Sequence, residues 1–172
     1  IIDEFILFRE KEERKISIFT KNTHLKNHIN FFNYKLSNKQ RDKWHSSSII
    51  FFKKQDVIFL DPDNGIRRNS NIKNKRLIKY VIPEEIVSLK KKGKTIIFTQ
   101  FQSFNESHSD LLKKISNLLL EYGLKINCPI IRNRTGPNTF FLTIANNSMK
   151  SKLSKIYKQY SDYNSKTELI EL

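Results

Sequence analysis

Val57-Ile58-Phe59-Leu60-Asp61-Pro62-Asp63-Asn64-Gly65 is the stretch on which the reading of this chain turns. Asp56–Leu60 (DVIFL) is an apolar run bounded by polar residues. Such a run suits a strand buried on both faces, as in a parallel sheet. Asp61-Pro62-Asp63-Asn64-Gly65 then stops the strand with turn chemistry. Asp opens a turn, Pro fixes φ, and Asn-Gly tolerates positive φ. In open α/β sheets, ligands bind in the crevice beyond the C-terminal strand ends. Asp61, Asp63 and Asn64 are therefore candidates for a polar centre, although the same residues also make a good turn with no further role.

Towards the C-terminus the pattern alternates. Pro83-Glu84-Glu85 opens a short helix through Lys92, with acids at its positive end, Lys at its negative end and Gly93 as its stop. Lys94–Thr99 (KTIIFT) is a second buried-type strand. Ser109–Tyr122 carries Leu112, Ile115, Leu119 and Tyr122 on one helical face and stops at Gly123. Lys125–Arg132 and Thr139–Ala145 read as an antiparallel hairpin. Lys150–Tyr160 is a last helix that packs Leu153, Ile156 and Tyr160. Strand, helix, strand, helix and hairpin predict an α/β fold. The expectation is a Rossmann-like three-layer sheet, mostly parallel with a C-terminal antiparallel hairpin. Residues 1–160 form its single domain, and 161–172 are a loosely held tail.

Towards the N-terminus, Glu4–Phe8 and Lys15–Thr20 read as strands separated by the charged turn Arg9–Arg14. Leu25, Ile29, Phe32 and Leu36 recur at helical steps and predict a helix over Asn22–Leu36. Ser37 with Gln40 forms a capping-box pattern. The helix after it would carry Trp44, Ile50 and Phe51 towards a core.

The 172 residues suit one domain. A hydrophobic share of 38%, with 13 Phe and 6 Tyr, fills a core and excludes a disordered acidic chain. Cys128 is the single cysteine, which excludes an intramolecular disulfide and an all-thiolate zinc site. That usage suits a reducing, cytoplasmic setting. No apolar run approaches the roughly 20 residues needed to span a bilayer, so no membrane partner is expected. The chain starts Ile1-Ile2 without Met and shows no signal peptide, so a processed or truncated piece of a longer protein or assembly is expected.

Lys+Arg number 32 against 17 Asp+Glu, a net charge of +15 that invites a nucleic-acid partner. Yet 24 Lys and 17 Asn beside a single Ala, Ala145, look like AT-rich codon usage, which inflates Lys everywhere. Local clustering discriminates better. Ten cations and two acids lie between Arg67 and Lys94, directly after the DPDNG motif. Arg67, Arg68, Lys73, Lys75, Arg76 and Lys79 are the candidate phosphate contacts.

FLDPDNGI, KYVIPEEI (Lys79–Ile86), GKTIIFTQ (Gly93–Gln100) and a C-terminal FFLTI strand resemble an uncharacterised bacterial family with an FLDPDNG strand end. That family is distantly similar to ribosomal RNA adenine-N6 methyltransferases with DPPY at the end of their fourth strand. The resemblance covers residues 40 to 145. It implies S-adenosylmethionine as cofactor, with Asp61 holding the target amine of a flipped base and Pro62 shaping the turn. The sequence departs from this pattern. Asp63 stands where the second Pro would be, Asn64 replaces the stacking aromatic, and no Gly precedes Gly65, so the Gly-rich cofactor loop is either absent or upstream of Ile1.

A second reading takes Asp61 and Asp63 as metal ligands. Two carboxylates one residue apart at a strand end can hold Mg²⁺ for a phosphoesterase or nuclease, with Glu84, Glu85 or Gln100 as further ligands. DPD followed by Gly also looks like the second acidic motif of Toprim domains, whose upstream Glu-Gly is not matched at Leu7-Phe8-Arg9-Glu10. A catalytically silent nucleic-acid-binding module is a third reading. His108, in the loop after the second strand with Gln100 and Ser103, is the histidine placed near the crevice, where a helix-capping role competes. His24 and His28, spaced i, i+4, read as surface residues. His45 packs or caps, Cys128 is a buried hydrophobe, Tyr80 anchors its loop, and Arg132, Arg134 and Asn138 flank a solvated turn.

Overall fold

Alternating burial along the strands divides the sheet's side chains between two apolar clusters. The computed structural model describes residues 28–68, 74–102, 105–134 and 138–171. After a 3-10 turn at Asn38–Gln40, the order is α1 (Arg41–Phe51), β1 (Val57–Leu60), α2 (Asn74–Leu77), α3 (Pro83–Lys91), β2 (Thr95–Phe101), α4 (His108–Glu121), β3 (Ile130–Asn133), β4 (Thr139–Ile144), α5 (Asn147–Tyr163) and β5 (Thr167–Ile170). Ile58, Ile96, Phe98, Phe140, Leu142 and Ile144 join residues of α3 and α4 in the larger cluster. Ile131 and Phe141, a step out of phase, join Leu153 and Tyr157 of α5 in the smaller one. Helices therefore cover opposite faces of one sheet. No described helix is long and apolar enough to cross a membrane.

The sheet order is β1-β2-β4-β3-β5. Only β1 with β2 is parallel; β2–β4, β4–β3 and β3–β5 are antiparallel. The expected mostly parallel sheet is thus corrected to a mostly antiparallel one. The cause is the hairpin: β4 folds back between β2 and β3 and separates strands that run the same way. β1 is also not buried on both faces. It lies at the sheet edge, and Phe59 is 54% exposed.

The C-terminal tail is ordered. β5 pairs with β3 from Thr167 to Ile170. Arg132 Nη1 donates to Glu168 Oε2 at 3.0 Å, and Arg134 Nη2 to the Ser165 carbonyl at 2.6 Å. The two arginines read as a solvated turn are therefore what holds the tail that was expected to be loose. β3 starts at Ile130 rather than Lys125. Pro129 offers no N–H, and Asn127 instead bonds both the N–H and the carbonyl of Ala145. In α5 the inward row is Met149, Leu153 and Tyr157, while Ile156 and Tyr160 are exposed.

Residues 28–37 are irregular, so the described part of the expected Asn22–Leu36 helix is absent. The Tyr34 carbonyl accepts the Trp44 indole N–H at 2.7 Å instead of a helical N–H. Ser37 makes no side-chain cap bond. Along α1, Arg41 and Ser48 are buried and Ile49 packs on the core, as does Phe52 just beyond it; Ile50 and Phe51 are exposed, contrary to expectation. Glu4–Phe8, Lys15–Thr20 and His24 lie outside the described residues.

One buried ion pair ties α1 to α3. Arg41 Nε donates to Glu85 Oε1 at 2.7 Å and Nη2 to Oε2 at 2.8 Å. The same guanidinium donates to the carbonyls of Leu77 at 2.9 Å and Tyr80 at 2.8 Å. Glu85 Oε2 also accepts the Ile82 N–H at 3.3 Å. Beside it, His45 Nε2 meets Ser88 Oγ, and that hydroxyl donates to the Glu85 carbonyl. Burial holds the His45 pKa below the ordinary 6.5.

Removing one partner of a buried pair strands the other charge. Glu85→Ala is expected to lower stability by about 3–5 kcal/mol in urea unfolding, and the pair Arg41→Met with Glu85→Leu to recover most of it. His45 binds its proton less readily folded than unfolded, so its contribution is complete above the ordinary value. That contribution falls as pH drops below 6.5 and levels off beneath the lowered folded value. Urea midpoints measured from about pH 7.5 to 5 should show this decline, and His45→Gln should flatten it.

Candidate functional site at the DPDNG strand end

Parallel pairing brings the C-terminal ends of β1 and β2 to the same sheet edge, with Leu60 opposite Phe98. Asp61 and Thr99 follow at that edge. The buried Thr99 hydroxyl donates to Asp61 Oδ1 at 2.8 Å, while Asp61 itself stays exposed. A threonine locked into a sheet thus fixes a carboxylate that faces solvent.

The turn beyond Asp61 closes through the Gly65 N–H to the Pro62 carbonyl at 3.4 Å. Gly65 has φ +75°, and a Cβ there would sit 2.1 Å from Gln100 Oε1. Gln100 is 3% exposed; its Oε1 accepts the Ile66 N–H at 3.0 Å and its Nε2 donates to the Phe101 carbonyl at 3.0 Å. Gln100 therefore pins the loop from beneath. From above, the Asn64 N–H donates to the Lys79 carbonyl, Val81 N–H to Gly65, and Arg67 N–H to Val81. Ile66 and Val81 form a parallel bridge. The segment that receives these bonds includes Tyr80, whose carbonyl Arg41 holds.

Asp63 is exposed, with Oδ2 3.7 Å from Lys79 Nζ, an exposed pair worth little. Asn64 contributes its backbone to the turn, and its side chain is exposed. His108 is the first residue of α4, one position past the Ser107 cap. Among the described residues, no hydrogen bond or ion pair joins Asp61 to Asp63 or to His108. Gln100, Glu84 and Glu85 do not join the two aspartates either. Glu84 takes bonds from Arg67 and Tyr122, and Glu85 is held by Arg41. No group of three or more His, Cys, Asp or Glu among the described residues could hold a metal ion. The described residues gather no such cluster around Asp61 and Asp63.

The basic cluster is partly committed to the fold. Arg68 Nη1 donates to Glu106 Oε2 at 2.7 Å, and Lys114 reaches Oε1 of the same carboxylate at 2.7 Å. These bonds, that from Lys114 foremost, hold the Glu106 carboxyl below its usual range. Arg67 lies 3.4 Å from Glu84. Lys90 donates to Ala145, and Lys94 to the carbonyls of Lys53 and Gln55. Arg76 is exposed. Lys73, Ser103 and the Lys75 side chain lie outside what is described. Asn138 joins Gln102, which reaches the Glu106 carbonyl, so it braces the loop after β2. Cys128 is buried, and burial pushes its thiol pKa up.

Thr99 and Glu106 escaped the sequence reading. Thr99 becomes visible only once the β1–β2 register is known. Glu106 lies between elements and follows no period.

Gly65→Ala adds both positive-φ strain and the collision with Gln100. It is expected to cost about 1–3 kcal/mol and to speed hydrogen exchange at the Ile66 amide. Gln100→Ala should speed the same amide, and the double variant should cost less than the two singles added, because both act on one turn. Comparison with known proteins finds no matching family model, no matching curated protein and no matching solved structure.

Proposed function

We propose that this chain is a nucleic-acid-acting domain, an enzyme or one derived from an enzyme, on a Rossmann-like, methyltransferase-like layered sheet. Its polar centre is Asp61 at the DPDNG strand end. The observation that carries this reading is the Thr99–Asp61 bond, which occupies Oδ1 and leaves an exposed carboxylate with Oδ2 to accept from a ligand. A carboxylate is an acceptor only, so it selects N–H donors such as the exocyclic amine of a base. It repels phosphate, which falls instead to the cations around the loop, Arg67, Arg68, Arg76 and Lys79.

S-adenosylmethionine would supply the methyl group in a methyltransferase. The described residues do not fit that cofactor. β1 is the sheet edge, and no described strand lies beyond it to carry a cofactor loop. No transfer step is therefore assigned, and base capture by Asp61 is the role given to the site.

Fluorescence anisotropy with labelled oligonucleotides at several salt concentrations tests the reading. Affinity should fall as salt rises, and Arg67→Ala with Arg76→Ala should reduce the salt slope by about 2. Asp61→Asn should weaken binding about tenfold for adenine- or cytosine-containing strands and leave oligothymidine unchanged. Salt-insensitive or absent binding overturns the proposal. Binding of every strand that survives Asp61→Ala with Asp63→Ala leaves a silent binding module. Thermal stabilisation by S-adenosylmethionine would restore the methyltransferase, and stabilisation by Mg²⁺ or Mn²⁺ the phosphoesterase.

A further inference from the structure

Helix α1 carries two stripes, one turned to the core and one that is partly open to solvent. Arg41, His45 and Ser48 face α3 and its neighbours, and Ile49, with Phe52 just past the helix end, packs on the core. The other stripe, Lys43, Trp44, Ser47, Ile50 and Phe51, runs at steps of three and four and lines an open groove with the 32–35 segment. The groove holds about 500 Å³, within the range of small-ligand sites. Its aromatic floor is centred on Phe32, whose ring lies 4.8 Å from Tyr34, 5.3 Å from Trp44 and 5.4 Å from Phe51. Tyr34 is 67% exposed, Phe51 45% and Ile50 75%. Lys35 and Lys43 line the same groove, and among the described residues no carboxylate does. The Trp44 indole is steadied by its bond to the Tyr34 carbonyl.

We infer that this groove is a second site, one that takes an unpaired stretch of nucleic acid. A base stacks on the exposed rings, and Lys35 and Lys43 meet the flanking phosphates. Aromatic faces accept any base, and cations alone on the walls favour a polyanion over an apolar helix of another protein. Duplex DNA buries its base faces and cannot use such a platform. The inference shares with the preceding reading the class of ligand but none of its residues.

Trp44 is the single tryptophan of the chain and reports on the groove directly. Titration with a single strand of about twelve deoxythymidines should quench its fluorescence saturably. Tyr34→Ala with Phe51→Ala should weaken the apparent affinity about tenfold, with circular dichroism showing the variant still folded at the assay temperature. Lys43→Gln should lower the salt dependence of the quench. The quench should persist in Asp61→Ala with Asp63→Ala, so failure of the DPDNG reading and failure of this one are separable. No quench, equal quenching by a duplex of the same length, or a quench indifferent to the groove variants overturns the inference. Protein-concentration-dependent burial of Trp44 that blocks the oligonucleotide would assign the groove to a second copy and also overturn it.

Discussion

The guanidinium of Arg41 is the constraint on which the loop architecture depends. It is buried, so its donors must find acceptors within the protein, and it finds them on three residues of the 77–85 segment. Two are backbone carbonyls in the stretch before α3, and the third is the Glu85 carboxylate. That stretch is the one against which Asn64, Gly65 and Arg67 make their backbone bonds. The position of the DPDNG loop is thus set by a charge that cannot be left unpaired in a low-dielectric interior. Hydrophobic contact alone would permit a loop to slide. A forked cation with fixed donor directions does not.

The same region shows how an exposed acid can coexist with many cations. Most of the nearby positive side chains already have partners. Arg68 shares Glu106 with Lys114, Arg67 leans towards Glu84, and Lys79 lies within reach of Asp63. The formal charge of +15 therefore overstates the field at the loop. What survives is a graded surface: a pinned carboxylate at the centre and paired cations at its rim. The Lys79–Asp63 pair is exposed and weak, whereas the carboxylate shared by Arg68 and Lys114 is only 11% exposed.

Local signals in the sequence were legible where one short segment decides the outcome. Pro83, Gly93 and Gly123 bound their helices as their backbone preferences dictate, and the apolar row Leu112, Ile115 and Leu119 lies on the core. The turn at Asp61–Gly65 was legible too. Misreadings came where a distant residue settles a local choice. Phe32 and Leu36 fit a helical period, but the Trp44 indole claims a carbonyl that a helix would need. Ile50 and Phe51 look like core residues, yet Arg41 and His45 turn the other side of α1 inward. Strand order was illegible because Thr139–Ile144 pairs equally well with a sequence neighbour or with a strand forty residues earlier, and here it does both. At the site, Asp61 could be named but Thr99 could not, because their bond exists only in one parallel register.

The insertion of β4 between β2 and β3 also orders events during synthesis. β2 emerges from the ribosome with β1 on one side and nothing to pair on the other. Its inner edge stays open until Thr139–Ile144 has been made, and β3 is sealed on its outer side by the later-made β5. A nascent chain that stalls before residue 139 therefore displays the bare edge of β2, whose Ile96 and Phe98 are fully buried once the sheet is complete. Such edges recruit one another, so this arrangement makes folding dependent on timely synthesis of the β4 and β5 segments.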